Sequence, residues 1–241
     1  MPKRLFLLVS LFAIATLHAA PPVPTQTETD KRLPPKGGSW GLREATVTDA
    51  SLPRVLLIGD SITNSYMNGV RKNLEGKANI DAWITPTTQA DKSLAGILEA
   101  INKEHQYAII HFNLGLHGWQ KGRIPEGQFE PLTKQMVENL KKDAPKAKLI
   151  WATITPVTEK VEKGQPVKGE LNKEIQPTIE QHNAMALKVM KEEGVAIDDL
   201  SSLMLQHLTL AAGDMFHWKK EGVDLLVKAV SDSIAQALPK R

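Results

Sequence analysis

The sequence predicts an α/β protein in which helices cover both faces of a parallel sheet. Two observations carry this prediction. The strand-like segments are continuous apolar runs rather than alternating patterns, and a stretch with helical spacing follows each run. The 241 residues are enough for one sizeable domain of this class, and the length gives no reason to divide the chain further.

Five strand-like segments follow one another along the chain. They are Val55–Ile58, Asn79–Ile84, Tyr107–Asn113, Lys148–Thr155 and Val195–Ile197. Apolar residues spaced three or four apart predict helices around residues 66–74, 93–101, 129–140, 175–193 and 219–238. We therefore expect the domain to occupy residues 51–241.

The first 20 residues are typical of an export signal. Lys3 and Arg4 form a charged start, Leu5–Leu17 is an apolar run, and the small residues Ala19 and Ala20 follow. The run is short for a membrane-spanning helix, although an uncleaved membrane anchor is the alternative. We expect a secreted or periplasmic protein without stable membrane insertion after the signal is cleaved.

Residues 21–38 are rich in proline, threonine and charge, so residues 21–50 are predicted to be a linker or N-terminal extension.

Net charge and cysteine content exclude several classes of function. The formal net charge is +3, and without Lys3 and Arg4 it becomes +1, from 28 basic and 27 acidic residues. Such a near-neutral protein lacks the electrostatic footprint of a nucleic-acid-binding protein. The absence of cysteine excludes thiolate catalysis and cysteine-ligated zinc, and we expect no cofactor.

The residues directly after the strands are the candidates for a site, because open parallel sheets bind ligands beyond the carboxyl ends of their strands. The first strand leads straight into Gly59, Asp60 and Ser61. The G-x-S-x-G pattern of α/β-hydrolases is not matched there. Ser61 is therefore either a nucleophile or an ordinary cap of the next helix.

A serine nucleophile needs a base, which is usually histidine. Among the seven histidines, His117 and His217 fall in loops where a site is expected. Asp214 lies three residues before His217, so its carboxylate can accept from the imidazole and fix the ring tautomer. The alternatives are a turn residue for Asp214 and the start of a helix for His217. The pairing of the two favours a catalytic site with Ser61.

Two sequence blocks resemble the SGNH (GDSL-type) hydrolases. These are IGDSIT, Ile58–Thr63, and DMFHW, Asp214–Trp218, and the resemblance extends over about residues 54–238. The resemblance implies a flavodoxin-like three-layer α/β/α sandwich with about five parallel strands. It also implies that Ser61 is the nucleophile, His217 the general base and then acid, and Asp214 the partner that orients His217.

The middle blocks depart from the family pattern at the oxyanion hole. The usual glycine after the second strand is missing, so the backbone N–H of Ala90 or Asp91 is the candidate donor, beside the N–H of Ser61. In the block that is usually G-x-N-D, the chain has GLHG, with His117 in the place of the asparagine. A ring N–H can donate to an oxyanion as an amide does, and Asn113 is a second candidate.

These residues lead to one main hypothesis and two others. The main one is a secreted serine esterase that cleaves a small-molecule or carbohydrate ester, with a short acyl group such as acetyl. The alternative is a non-catalytic carbohydrate-binding member of the same fold, motivated by His117. The third hypothesis is a metal site made of His117, Asp214 and His217, although the spacing of a metal motif is absent.

Overall fold

The computed structural model describes residues 29–239, so the export signal predicted over residues 1–20 lies outside the described residues. Within this range, one sheet contains the strands β1 (Gly41–Arg43), β2 (Arg54–Gly59), β3 (Asn79–Ile84), β4 (Tyr107–Phe112), β5 (Lys148–Ala152) and β6 (Ala196–Asp198). The α-helices are α1 (Ser61–Asn73), α2 (Leu94–Glu104), α3 (Phe129–Asp143), α4 (Gln176–Glu192), α5 (Leu200–Leu205) and α6 (Lys220–Ala237). None of these helices combines the length and apolar composition needed to cross a bilayer.

The strand order across the sheet is β1-β3-β2-β4-β5-β6. Strands β2 to β6 run parallel, whereas β1 runs antiparallel to β3 at one edge. Without β1, the five parallel strands have the order of flavodoxin-like folds, with the second strand outside the first. The predicted flavodoxin-like three-layer α/β/α sandwich with about five parallel strands is therefore confirmed.

Apolar burial on both faces of the sheet joins the three layers. Helices α1 and α6 pack together on one face, over a core that contains Val55 and Leu57. Helices α2, α3 and α4 cover the other face, over a core that contains Leu56 and Ile58. Successive residues of β2 thus enter opposite cores, and this explains why the strand is a continuous apolar run.

A single residue, Asp60, connects β2 to α1. Its carboxylate caps the helix by accepting from the Ile62 N–H at 2.9 Å. Gly59 permits this tight connection, because a Cβ at that position would lie 2.0 Å from Thr63 Oγ1. Ser61 consequently becomes the first residue of α1, directly beyond the carboxyl end of β2.

Two short elements go beyond the sequence prediction. Strand β1 lies within residues 21–50, so the predicted linker or extension contributes to the sheet ahead of residue 51. Helix α5 has six residues and begins after Asp199, whose side chain accepts from the Ser202 N–H. Elements of this length contain too few residues to show a period in the sequence.

Candidate active site

The loops that carry the predicted site residues meet around the carboxyl end of β2. Ser61 follows β2, Ala90 lies in the loop after β3, and His117 lies in the loop after β4. Since β3 and β4 flank β2, these three loops are neighbours in space. The strand order reverses between β2 and β4, which is where open α/β sheets bind their ligands.

Ser61 and His217 are hydrogen-bonded although 156 positions separate them in the sequence. The Ser61 Oγ atom lies 2.8 Å from His217 Nε2, and His217 Nδ1 lies 2.6 Å from Asp214 Oδ2. A carboxylate only accepts, so Nδ1 carries the ring proton and Nε2 accepts from the Ser61 hydroxyl. The structure thus brings Ser61, His217 and Asp214 into one chain of hydrogen bonds.

The Asp214 carboxylate also shapes the loop that presents His217. Its Oδ1 atom accepts from the backbone N–H groups of His217 at 2.9 Å and Phe216 at 3.1 Å. Burial raises the pKa of Asp214, but these N–H groups and the imidazole outweigh burial and hold the pKa below its ordinary value. Asp214 is therefore ionised at neutral pH and orients the ring from a fixed position.

The turn ahead of His217 has a strained backbone, and hydrogen bonds from the loop after β5 hold it in place. Met215 has a φ of 87°, a conformation that residues other than glycine rarely adopt and that costs roughly 1–3 kcal/mol. The Met215 carbonyl accepts from the Thr158 N–H at 2.9 Å, and the Gly213 carbonyl accepts from the Val161 N–H at 3.0 Å. The polar loop after β5 therefore supports the turn that positions the histidine.

A buried carboxyl group precedes Ser61. Asp60 is 3% exposed. Burial raises the pKa of Asp60 to about 6, and the Ile62 N–H and the nearby His217 offset this only in part. Keeping the Asp60 carboxylate charged in the folded protein therefore costs folding free energy. This carboxylate directly precedes the candidate nucleophile, Ser61.

This burial predicts a pH-dependent effect of Asp60→Asn on stability. Because the folded pKa of about 6 exceeds the ordinary 3.8, the folded state binds the proton more tightly than the unfolded state does. The resulting stabilisation is complete below pH 3.8 and is lost as the pH rises through about 6. Urea unfolding from about pH 4 to pH 7 should show the variant gaining up to about 3 kcal/mol relative to the wild type. A difference between the two proteins that is constant with pH would contradict this account.

Among the described residues, the backbone N–H groups of Ser61 and Ala90, near this edge of the sheet, have no hydrogen-bond partner. Ser61 is the first residue of α1, where N–H groups have no partner within the helix. In the loop after β3, Asp91 donates its N–H to the Thr88 carbonyl at 3.1 Å. The Ala90 N–H has no hydrogen-bond partner among residues 29–239. The geometry therefore favours Ala90 over Asp91 as a donor.

The two side chains predicted as oxyanion donors differ in their placement. Asn113 is 4% exposed and donates from Nδ2 to the Thr153 carbonyl at 3.1 Å, beyond the end of β5. His117 lies in a short 3-10 turn, with Nε2 4.0 Å from Asp60 Oδ2. Burial and the charge of Arg123 lower the pKa of His117, so its ring is neutral near pH 7 and carries one N–H. The His117 ring thus lies beside the Gly-Asp-Ser turn, whereas the Asn113 amide is engaged by the Thr153 carbonyl.

The metal site considered from the sequence has no geometric support. Among the described residues, no group of three or more His, Cys, Asp or Glu side chains is arranged to hold a metal ion. Both ring nitrogens of His217 are already engaged, one by Asp214 and one by Ser61.

Aromatic side chains border the candidate site. The Trp40 ring meets His117 edge to face, with the ring centroids 5.9 Å apart. Trp119 and Phe216 lie on other loops of the site, with centroids 6.2 Å apart and planes tilted by 31°. Trp40 belongs to the predicted extension, and its only signal in the sequence is that it is a lone large aromatic in a segment rich in glycine and proline.

No protein-family model and no curated protein matches the chain. Solved structures do match it. A GDSL-like lipase from Bacteroides thetaiotaomicron is 18% identical with a TM-score of 0.57, and the match covers 77% of this chain and 89% of the lipase. A carbohydrate esterase family 3 protein from Talaromyces cellulolyticus is 16% identical with a TM-score of 0.59, over 77% of this chain and 97% of that one.

A catalytic mutant of an acetylxylan esterase from Geobacillus stearothermophilus is 16% identical with a TM-score of 0.59. That match covers 81% of this chain and the whole length, 100%, of the esterase. At such identities the likeness concerns the backbone and the order of the elements. Together with the flavodoxin-like strand order, these matches establish that the chain has the fold of the SGNH (GDSL-type) hydrolases.

Proposed function

We propose that the chain is an exported serine esterase. The observation that carries the proposal is the continuous hydrogen-bonded chain from Ser61 through His217 to Asp214, at the strand-order reversal of the sheet. A hydroxyl in contact with an imidazole, which a carboxylate orients in turn, is the arrangement that activates serine in acyl transfer. The esterases among the matching solved structures support the same reaction class.

The proposed reaction begins with attack of Ser61 Oγ on the ester carbonyl carbon. His217 Nε2 takes the hydroxyl proton, and Asp214 stabilises the imidazolium through Nδ1. The imidazolium then protonates the alkoxy oxygen of the ester. The alcohol departs, and the acyl group remains bound to Ser61. His217 next takes a proton from water as the water oxygen attacks the acyl carbon. The bond from that carbon to Ser61 Oγ then breaks, the imidazolium returns the proton to Oγ, and the acid is released.

The oxyanion of each tetrahedral intermediate is proposed to rest on three donors. The Ser61 N–H lies at the positive end of α1, and the Ala90 N–H has no partner within residues 29–239. The ring N–H of His117 completes the set in place of an asparagine amide. Asn113 can join only if it gives up its bond to the Thr153 carbonyl.

The proposed substrate class is a short-chain ester, such as an acetyl group carried by a carbohydrate. Two of the matching structures are described as a carbohydrate esterase and an acetylxylan esterase. Export, as predicted from residues 1–20, would deliver the enzyme to extracellular or periplasmic carbohydrate.

Removal of the ring at His117 tests the oxyanion assignment. His117→Ala should lower kcat for p-nitrophenyl acetate by about 10²-fold, the loss typical of one oxyanion donor, with KM changed little. His117→Asn should recover most of that loss, because its amide supplies an equivalent N–H. A kcat for His117→Ala within about twofold of the wild type would make His117 a packing residue of the loop.

The direct test of the proposed function is turnover of p-nitrophenyl acetate and of an O-acetylated xylo-oligosaccharide by the purified protein. Hydrolysis of either ester supports the esterase. If neither ester is hydrolysed but the oligosaccharide binds, the non-catalytic carbohydrate-binding alternative replaces it. That alternative gives no role to the contacts of His217 with Ser61 and Asp214, so the esterase is preferred.

A further inference from the structure

Trp40 is the unusual exposed residue beside the site. Four large hydrophobic side chains are strongly exposed among the described residues: Trp40, Val47, Ile197 and Leu205. Trp40 is the aromatic member of this group and is 40% exposed. An exposed indole offers a large, flat apolar surface with a polar N–H at its edge, so it is suited to contact a ligand that is amphipathic itself.

The position of Trp40 connects it to the proposed reaction centre. Its ring meets His117 edge to face at 5.9 Å, and His117 Nε2 lies 4.0 Å from Asp60 Oδ2. Asp60 immediately precedes Ser61. One side chain therefore separates the exposed indole from the turn that carries the proposed nucleophile.

The backbone around Trp40 is fixed at several points. The next residue, Gly41, begins β1 and pairs with Ile84 of β3. Arg43 reaches back to the Gly38 carbonyl at 2.7 Å and across to Asn64 Oδ1 of α1, also at 2.7 Å. The indole is thus presented from a rigid segment anchored to both the sheet and α1, as a binding surface requires.

On these grounds we propose that Trp40 is a sugar-stacking residue that selects carbohydrate esters over simple ones. The apolar C–H face of a pyranose ring would lie against the exposed indole while the acyl group of a neighbouring position reaches Ser61. The inference rests on the proposed function, since it places the sugar relative to Ser61 as the nucleophile. Trp40 itself takes no part in bond making or breaking.

The test compares two substrates in Trp40→Ala, with Val47→Ala as the control for removal of an exposed apolar side chain from the same extension. For an O-acetylated xylohexaose, Trp40→Ala should raise KM about tenfold with little change in kcat. For p-nitrophenyl acetate, which has no sugar ring to stack on the indole, kcat/KM should fall much less than for the oligosaccharide. Trp40→Phe should recover part of the lost affinity, and Val47→Ala should behave as the wild type does.

Equal losses on both substrates, or no loss on either, would overturn the role of Trp40. So would a wild-type protein that hydrolyses p-nitrophenyl acetate and not the acetylated oligosaccharide. A binding measurement distinguishes failure of the esterase proposal from failure of the role of Trp40, because binding of the oligosaccharide does not require hydrolysis. In a Ser61→Ala background, calorimetric affinity for the same oligosaccharide should still fall about tenfold when Trp40 is replaced.

Discussion

Replacement of Ser61 by alanine is expected to lower kcat for p-nitrophenyl acetate by roughly 10⁴-fold or more. The substitution removes the hydroxyl oxygen that lies 2.8 Å from His217 Nε2 and leaves the histidine without a proton to accept. The backbone donors and the substrate contacts remain, so a low residual rate is expected rather than complete loss. The measurement is steady-state hydrolysis at saturating substrate, with thermal unfolding recorded on the same samples.

Ser65→Ala is the matched control for this experiment. Ser65 lies one turn further along α1, is exposed, and donates its hydroxyl to the Ile62 carbonyl at 2.6 Å. Its loss should leave kcat within about twofold of the wild type. If Ser61→Ala unfolds at the wild-type temperature and keeps more than about a tenth of the activity, the nucleophile is another group.

Of the substitutions considered, Asp81→Ala is expected to lower the free energy of unfolding most, by about 3–5 kcal/mol. The carboxylate is fully buried in β3 and pairs with Arg54 of β2 at 2.8 Å. It also accepts from the Tyr107 hydroxyl of β4 at 3.0 Å and from the Ala45 N–H of the extension at 2.7 Å. Alanine would leave the Arg54 guanidinium, whose side chain is 19% exposed, without its carboxylate. It would also remove the acceptor of the buried Tyr107 hydroxyl and of the half-buried Ala45 N–H.

Guanidinium chloride unfolding measures this loss, with Asp224→Ala as the control. Asp224 pairs with Lys220 on the surface of α6, where the two side chains are 59% and 81% exposed. Loss of such a pair should cost less than about 1 kcal/mol. Asp81→Asn should fall between the two variants because it keeps part of the hydrogen bonding. A cost below about 1 kcal/mol for Asp81→Ala would show that the junction of β2, β3, β4 and the extension does not depend on this carboxylate.

Local sequence was sufficient to predict the parts of the site that depend on neighbouring residues. The apolar run of β2 followed by Gly59, Asp60 and Ser61 predicts a serine at the end of a buried strand, where the structure places it. The i, i+3 spacing of Asp214 and His217 likewise predicts the contact that the structure contains. In both cases the determining interactions lie within a few residues of each other.

Two placements that depend on distant partners, those of Asn113 and Trp40, were beyond the sequence. Asn113 follows β4 as expected, but its amide donates to the Thr153 carbonyl, which becomes its neighbour only when β4 and β5 pair. Trp40 reaches His117 because β1 pairs with β3 at the sheet edge, and a three-residue strand has no pattern of its own. The assignment of residues 21–50 as linker or extension therefore passed over a side chain beside the site.

The central claim is that Ser61 is the nucleophile, and the most direct measurement is covalent trapping with a p-nitrophenyl phosphonate, followed by peptide mass analysis. Attack by Ser61 Oγ would form an O–P bond and expel p-nitrophenolate, while the hydroxyl proton passes to His217. We predict a single phosphonyl adduct on the peptide that contains Ser61, and no adduct in the Ser61→Ala variant. An unmodified wild-type protein, or an adduct at another residue that persists in Ser61→Ala, would contradict the account.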